Sequence, residues 1–299
     1  MGGIFFDRSI PDDERRARLY EGDLFVYSPS SESLELVALA RHLLSKAFDG
    51  IDPEIAQHEI DVHRYAGILA RVKPEFIHHP ECKRLVPRIL SRLGCDLDRV
   101  YFDVPRMRSS TSHGYLTTGI AYAFHPHRDT WYSAPMCQIN WWIPIFDIEA
   151  GNAMAFHPYH FDNPVDNDSE CYDYQAWNAT SRFSAAQHVG KDTRRQPRAT
   201  GPVKMDPSTV VVAPPGGVLL FSGAHLHSSI PNRTGRTRFS IDFRTVHVDD
   251  LRSLAGAPNV DSKSSGSAIG DYLRGSDLSH VPEDVQAVYL PGHPQTITG

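Results

Sequence analysis

The chain has 299 residues and a formal net charge of -6 at pH 7, with 40% hydrophobic and 22% charged residues. This composition suits a folded protein with a sizeable core, and its charge excludes an electrostatic attraction to nucleic acid or to an anionic membrane. The cysteines have no metal-ligand spacing, and no apolar run is long enough to cross a bilayer. We therefore expect a soluble, cytoplasmic protein with reduced thiols and no secretory leader.

The first part of the chain, residues 1–98, is predicted to be mainly helical. Serines within residues 30–33 supply N-cap candidates for LELVALARHLLSKAF, whose apolar residues recur at helical spacing. Asp52 and Pro53 are expected to open a second helix, because a capping side chain followed by Pro at the first helical position is a favoured start. A third helix is predicted over CKRLVPRILSRL, with Gly94 at its C-terminal end.

The pattern changes over residues 99–250, where short runs rich in β-branched and aromatic residues are separated by Gly, Pro, Asn and Asp. These runs are DRVYFDVPRM, GIAYAFH, CQINWWIPIF, NAMAFHP, STVVVAP, GVLLFSG and TRFSIDFRTVHV. So many short strands predict a mainly β fold with a double-stranded β-helix, or jelly-roll, core. The N-terminal helices are expected to pack on one outer face of that core.

Two segments have no regular pattern. Residues 161–208 are polar, and so long an insertion inside a compact domain is either functional, as a lid over a pocket, or a mobile surface loop. Residues 253–270 are rich in Ser and Gly and are predicted to form a flexible linker, within a C-terminal tail over residues 251–299. We expect a single domain over residues 1–299 that contains the helical part, the β core and the tail.

Three H-x-D motifs are candidates for a metal site. They are His127-Arg128-Asp129, His160-Phe161-Asp162 and His247-Val248-Asp249. Residues i and i+2 of a strand face the same side, so H-x-D directs an imidazole and a carboxylate to one point. With a second His they would form the 2-His-1-carboxylate set of non-haem Fe(II) oxygenases. The first motif is favoured because it ends a strand-like run and is followed by further strands, whereas prolines flank the second.

The third ligand is expected from GGVLLFSGAHLHSSIPNRTGRTRFSIDFR, which contains His225 and His227. The segment is predicted to be a hairpin with IPNRTG as its turn, and both histidines face the same side, so spacing does not choose between them. On the returning strand one face carries Arg238, Ser240, Asp242 and Arg244, opposite Phe239, Ile241 and Phe243. A buried Arg needs an anionic partner, which a dicarboxylate cosubstrate or an internal pair with Asp242 would supply.

The order H-x-D, distant His and R-x-S resembles that of the Fe(II)/2-oxoglutarate-dependent oxygenases, and more narrowly of their phytanoyl-CoA dioxygenase-like branch. In that branch a P-N-R-[ST] turn follows the distal His and precedes the Arg. Here His227, the turn over residues 231–234 and Arg238 match this spacing, which favours His227 over His225. The resemblance covers roughly residues 100–248 and departs from the branch at Asn152-Ala153, where Asn-Gly is usual.

The resemblance implies a catalytic Fe(II) held by three ligands, His127, Asp129 and His227. Arg238 and Ser240 would bind the distal carboxylate of the cosubstrate 2-oxoglutarate, and Gln138 would be a polar group of the same pocket. The chain would then be a single catalytic domain that uses O2 to hydroxylate an unactivated C–H bond of a small molecule, such as an intermediate of specialised metabolism. Decarboxylation of 2-oxoglutarate to succinate accompanies this reaction, and the presence of Asp129 disfavours halogenation.

Two alternatives stay open on the sequence. A cupin-like metal-dependent isomerase or binding protein is one, because His125-Pro126-His127 begins like the cupin H-x-H motif, although the Glu expected shortly after it is absent. A protein- or peptide-modifying oxygenase is the other, although no partner-docking module is evident. Desaturation and ring formation are further outcomes of the same oxygenase chemistry.

Overall fold

The computed structural model of the protein describes residues 2–121, 125–180 and 187–289. Within these ranges the helices are α1 (Asp12–Tyr20), α2 (Ser31–Phe48), α3 (Val62–Ile77), α4 (Pro80–Arg92), α5 (Tyr174–Thr180), α6 (Val248–Ser253) and α7 (Glu283–Ala287). The strands are β1 (Ile4–Phe6), β2 (Leu24–Tyr27), β3 (Val100–Phe102), β4 (Arg106–Ser110), β5 (Ile139–Pro144), β6 (Met154–Phe156), β7 (Thr209–Val211), β8 (Val218–Ser222), β9 (His227–Ser229), β10 (Arg238–His247) and β11 (Leu273–Arg274). None of the helices described is both long enough and apolar enough to cross a membrane.

The strands form two sheets. The larger has the order β1-β2-β8-β5-β10-β3-β11, with β4 also paired to β10, and the smaller has the order β7-β6-β9. All pairs are antiparallel except β1 with β2. Side chains of both sheets share one hydrophobic cluster, which includes Trp142 and Phe221 from the larger sheet and Phe156 from the smaller. The two-sheet β core that the strand pattern predicted is therefore present.

Strand β10 shows how the alternating sequence divides the core. Phe239, Ile241 and Phe243 lie in a hydrophobic cluster with residues of α2, α3 and α4, and the ring of Phe239 lies 6.4 Å from that of Phe48 in α2. Because side chains alternate along a strand, Arg238, Ser240, Asp242 and Arg244 point away from these helices. The opposite face of the larger sheet thus carries the charged and hydroxyl groups towards the smaller sheet.

The capping signals near the N-terminus had different outcomes. Ser30 caps α2, and its hydroxyl accepts a hydrogen bond from the backbone N–H of Ser33. Gly94 follows α4 with φ +79°, the left-handed conformation that ends many helices. The prediction at Asp52 is wrong: its carboxylate accepts from the N–H of Glu54 in a turn. The second long helix, α3, is capped by Asp61 instead.

Some predicted strands of the core need correction. Residues 119–121 of the predicted strand GIAYAFH form a 3₁₀ turn rather than a strand, and residues 122–124 lie outside the described ranges. The expected β9–β10 hairpin is also wrong, because β9 pairs with β6 and β10 pairs with β4 and β5. The side-chain amide of Asn232 in the intervening turn donates to the carbonyls of Ser110 and Arg236. That contact fixes the point where the chain crosses from the smaller sheet to the larger.

The predicted flexible linker over residues 253–270 is wrong as well. The side chain of Asp261 is buried and accepts hydrogen bonds from Arg128, from the indole of Trp131 and from the backbone N–H of Val165. Ser and Gly residues allow flexibility, but these contacts tie the segment to the β core. The insertion over residues 161–208 contains α5, and its residues 181–186 lie outside the described ranges.

Candidate metal centre and cosubstrate pocket

His127, Asp129 and His227 meet where the two sheets face each other. The Nε2 atoms of the two histidines lie 3.6 Å and 3.8 Å from Oδ1 of Asp129. One ligand atom from each residue lies within 4.8 Å of the others, and each side chain is nearly buried. Among the described residues this is the one group of three such side chains that could hold a metal ion.

The backbone explains why the two histidines meet. His127 and His227 form an antiparallel bridge in which each N–H donates to the other's carbonyl at 3.0 Å. Paired residues of an antiparallel bridge project to the same side, and the ring centroids lie 4.3 Å apart. The sequence prediction of a strand through Asp129 is not confirmed, because Asp129 begins a 3₁₀ turn and its N–H donates to the carbonyl of Gly223 at 2.9 Å. A Cβ at Gly223 would lie 3.2 Å from Nε2 of Gln138, so a glycine suits this close approach.

The protonation of the histidines favours metal binding. Nδ1 of His127 lies 2.8 Å from the carbonyl of His125, and Nδ1 of His227 lies 2.9 Å from the carbonyl of His225. A carbonyl oxygen only accepts, so each Nδ1 carries the proton and each Nε2 presents a lone pair to the centre. Burial lowers the pKa of His227 to about 3, which keeps its ring neutral, the form that a metal ligand needs.

The carboxylate of Asp129 is ionised. Burial raises its pKa, but the contact with His127 and the charge of Arg244 outweigh burial and hold the pKa well below its usual value. Imidazoles that bind a metal are neutral, so two of them with one carboxylate would give the metal-binding set one negative charge. This donor set suits Fe(II) and leaves open coordination positions for other ligands.

The remaining histidine candidates lie elsewhere. Residue 225 precedes β9, so the strand parity that made His225 equivalent to His227 does not apply to it. Its Nε2 contacts the carbonyl of Gly22 at 3.0 Å. In the second H-x-D motif, Nε2 of His160 contacts the carbonyl of Lys204. In the third, His247 caps α6.

Arg128, the middle residue of the first H-x-D motif, holds the motif in place. Its guanidinium is fully buried and donates to Asp261 and to the carbonyls of Ala224, His160 and Asn163. These contacts join the turn after His127 to the insertion and to the C-terminal segment. Nothing in the local sequence indicated this role, because all the partners are distant along the chain.

The outer oxygen of Asp129 has two donors of its own. Nε2 of Gln138 lies 3.1 Å from Oδ2, and Nε of Arg244 lies 3.5 Å from the same atom. Oε1 of Gln138 accepts from the hydroxyl of Tyr272 at 2.8 Å. Arg244 was visible in the sequence as a polar residue on the same face of β10 as Arg238, but Tyr272 had no signal. The expected contact of Gln138 with 2-oxoglutarate stays a prediction.

Arg238 and Ser240 lie on the same inner face of β10. Arg238 is 6% exposed, and its Nη1 donates to the carbonyls of Asn152 and Ala153 at 3.0 Å and 3.4 Å. Its Nε and the hydroxyl of Ser240 are buried without a hydrogen-bond partner. Burial lowers the pKa of Arg238 to about 10, although the charge of Asp242 partly offsets this.

The internal Asp242–Arg238 pair that the sequence left open is not formed. Asp242 instead accepts from Nε of Arg108 at 2.7 Å and lies 3.3 Å from Nη2 of Arg244. Buried donors without partners are rare and each calls for a missing acceptor. Arg238 and Ser240 therefore fit a carboxylate ligand, and the His and Asp residues fit the metal beside it.

A row of aromatic rings leads from the centre towards the insertion. The ring of Tyr132 lies 5.6 Å from that of His127, and Tyr172 lies 5.3 Å from Tyr132. Trp177 of α5 follows at 5.7 Å from Tyr172, and the guanidinium of Arg194 lies over its indole at 5.3 Å. The described part of the insertion is thus connected to the metal ligands through aromatic contacts.

The sequence profile of the phytanoyl-CoA dioxygenase (PhyH) family matches residues 26–240. The chain belongs to this family. It is accordingly a non-haem iron and 2-oxoglutarate-dependent enzyme of the dioxygenase type, with iron and 2-oxoglutarate as its cofactor and cosubstrate. The matched residues include the three candidate ligands, Arg238 and Ser240. A comparison with curated proteins found no match.

Several solved structures resemble the chain at low identity. EvdO2 from Micromonospora carbonacea var. aurantiaca is 13% identical, with 80% of this chain and 91% of that chain covered and a TM-score of 0.45. The α-ketoglutarate-dependent epimerase SnoN from nogalamycin biosynthesis is 14% identical, with 79% and 82% covered and a TM-score of 0.37. The non-haem monooxygenase ThoJ is 13% identical, with 73% and 70% covered and a TM-score of 0.38.

Proposed function

We propose that this enzyme hydroxylates an unactivated C–H bond of a small molecule, using Fe(II) bound by His127, Asp129 and His227. 2-Oxoglutarate would be converted to succinate and CO2 in the same reaction. The single observation that carries the proposal is the pair of unpartnered buried donors, Nε of Arg238 and Oγ of Ser240, on β10 of the larger sheet. That strand lies across from the smaller sheet, to which His227 belongs. A dicarboxylate that reaches from the metal to these donors would satisfy both.

Each residue has a distinct task in this proposal. The iron, 2-oxoglutarate and O2 together supply the oxidising power when they are bound. The Nε2 lone pairs of His127 and His227 and Oδ1 of Asp129 hold the metal. Arg238 and Ser240 bind the distal carboxylate through charge-assisted hydrogen bonds and so orient the cosubstrate. The buried aromatic side chains beside His227, Phe156 and Phe221, exclude water from that side of the centre.

The rest of the chain would serve this centre as one catalytic domain over residues 1–299. We propose that the core is a jelly-roll with the N-terminal helices on one outer face, which the shared hydrophobic cluster of those helices and β10 supports. The insertion over residues 161–208 would act as a lid on the substrate side, because Tyr172 and Trp177 extend from it towards Tyr132 and His127.

Binding of the cosubstrate is the most direct test. Purified protein with Fe(II) should develop a metal-to-ligand charge-transfer absorption band when 2-oxoglutarate is added under anaerobic conditions. Asp129→Ala should show no band, because it lacks the charged ligand. Absence of the band in the unaltered protein, at concentrations that saturate related enzymes, would refute the proposal.

The reaction type needs a second measurement. Candidate small molecules should be screened for 2-oxoglutarate-dependent release of succinate, and the product mass should then be compared with that of the substrate. Gain of one oxygen atom supports hydroxylation. Loss of two hydrogens indicates desaturation or ring formation, and an unchanged mass indicates isomerisation, so either result would contradict the hydroxylation proposal.

A further inference from the structure

The two carboxylate oxygens of Asp129 have different surroundings. Oδ1 faces the Nε2 atoms of His127 and His227 at 3.6 Å and 3.8 Å, which is where a shared metal ion would lie. Oδ2 faces away from the histidines and contacts Nε2 of Gln138 at 3.1 Å and Nε of Arg244 at 3.5 Å. Only one oxygen of the carboxylate is therefore directed at the metal position.

The amide of Gln138 has one possible orientation. Its Nε2 lies between two acceptors, the carboxylate of Asp129 and Oδ1 of Asn140, the latter at 2.8 Å. A flipped amide would place its own oxygen against the ionised carboxylate, which only accepts hydrogen bonds. The oxygen must therefore face the hydroxyl of Tyr272, which donates to it at 2.8 Å. Tyr272 thus fixes the amide, and the amide fixes Oδ2 of Asp129.

The second donor to Oδ2 is fixed in a similar way. Nη1 of Arg244 lies 3.3 Å from Oδ2 of Asp103, and its Nη2 lies 3.3 Å from Oδ2 of Asp242. The backbone N–H of Arg244 also donates to the other oxygen of Asp103, at 2.6 Å. With both terminal nitrogens paired, the guanidinium presents its Nε edge to Asp129.

We propose that Tyr272 and Arg244, together with Gln138, are positioning residues that make Asp129 a one-oxygen ligand of the metal. This inference rests on the proposed function. A six-coordinate iron held by three protein ligands would have three positions left, of which 2-oxoglutarate would take two and O2 the third. A carboxylate that bound through both oxygens would occupy a position that the reaction needs. Hydrogen-bond donors on Oδ2 keep this second oxygen away from the metal. They also make rotation of the Asp129 carboxylate unfavourable, because rotation would break these contacts.

Tyr272 comes from the C-terminal segment and is fully buried in a hydrophobic cluster that also contains Tyr289. Tyr289 supplies a matched control, because its hydroxyl donates to the carbonyl of Leu251 at 3.0 Å and to no residue of the centre. Tyr272→Phe and Tyr289→Phe remove the same atom from the same cluster. Their effects on folding should be similar, whereas their effects on the metal should differ.

The experiment measures binding of Co(II), which reports both affinity and coordination number in its visible spectrum, without 2-oxoglutarate. Tyr272→Phe should weaken Co(II) binding roughly ten- to hundredfold, the usual effect of losing a partner of a ligating group. It should also change the intensity of the Co(II) absorption bands, because the carboxylate is free to rotate. Tyr289→Phe should match the unaltered protein in both measurements.

A double-mutant cycle tests whether Tyr272 acts through Gln138. Gln138→Met should weaken Co(II) binding by itself, and adding Tyr272→Phe to it should have no further effect, because the relay is already broken. Additive losses, or a Tyr272→Phe protein with unchanged affinity and spectrum, would overturn the inference. Failure of the unaltered protein to bind metal would instead refute the proposed function, so the two failures are distinguishable.

Discussion

Replacing Arg238 with Met should stabilise the protein in the absence of ligands and remove its response to 2-oxoglutarate. Most substitutions of buried residues destabilise a protein, so this outcome is unusual. It follows from the burial of Arg238, which is 6% exposed, and from its lack of a carboxylate partner among the ion pairs of the described residues. Met keeps most of the aliphatic volume and removes the unpaired charge.

The size of the effect follows from two opposing contributions. Burial lowers the pKa of Arg238 from 12.5 to about 10, so the charged form costs about 3 kcal/mol of folding free energy at neutral pH. Loss of the side chain leaves the carbonyl of Asn152 without its donor, which costs about 1–2 kcal/mol. The carbonyl of Ala153 keeps the N–H of Ile230 as a partner. The net expectation is a gain of roughly 1–2 kcal/mol.

The cosubstrate response should change in the opposite direction. Two charge-assisted hydrogen bonds to a carboxylate contribute about 3 kcal/mol or more, which corresponds to at least a hundredfold change in affinity. At a 2-oxoglutarate concentration of about one hundred times Kd, the unaltered protein should gain about 2.7 kcal/mol of stability. The variant should gain about 0.4 kcal/mol at the same concentration.

Urea unfolding with and without 2-oxoglutarate, in the presence of redox-inert Ni(II), measures both quantities. Arg108→Met is the matched control on the same sheet face, because Arg108 is paired with Asp242 at 2.7 Å and 3.2 Å. That variant should lose stability and keep the 2-oxoglutarate response. An Arg238→Met protein that is destabilised by more than about 1 kcal/mol, or that still responds to 2-oxoglutarate, would show that Arg238 is a structural residue.

Further predictions concern the metal ligands and the buried histidines. Asp129→Ala should lose its bound metal, measured by elemental analysis of the purified protein, and full retention would contradict the assignment. His227→Asn should also lose the metal whereas His225→Asn should keep it, since His225 contacts the carbonyl of Gly22; equal losses would refute the distinction. Burial lowers the pKa of His225 from 6.5 to about 3. Between these two pH values His225 is therefore protonated in the unfolded chain but neutral in the folded protein. Stability of the metal-free protein should therefore fall as pH drops through this window, and His225→Asn should reduce the slope by up to about 1.4 kcal/mol per pH unit; an unchanged slope would contradict the shift.

The sequence predicted those elements whose signals are local. The helical spacing of apolar residues and the serine cap predicted α2. The alternation of polar and apolar residues from Arg238 to Arg244 predicted both faces of β10. The short strands β1 and β2 were missed, because three or four apolar residues have no clear period. The pairing of β1 with β2 and of β2 with β8 depends on tertiary contacts. The hairpin error has a similar origin, since a turn sequence does not show which sheet each flanking strand will join.

The same distinction between local and long-range signals applies to the residues of the candidate site. The choice of the first H-x-D motif came from its context, and the family resemblance favoured His227, but strand parity wrongly made His225 its equivalent. Asp261 and Tyr272 were invisible because their partners are 96 to 134 residues away in the sequence. A Ser- and Gly-rich composition suggested a linker, and no local rule indicates that the largely buried side chain of one Asp within it accepts three hydrogen bonds.

The position of Asp261 and Tyr272 has a consequence for the order of events during synthesis. A growing chain would already contain all three candidate metal ligands when residue 250 has been added, yet it would lack the side chains that hold Arg128 and Gln138. The centre would therefore reach its final geometry only after the C-terminal segment has docked. Iron that bound before this docking would meet ligands whose positions are not yet fixed.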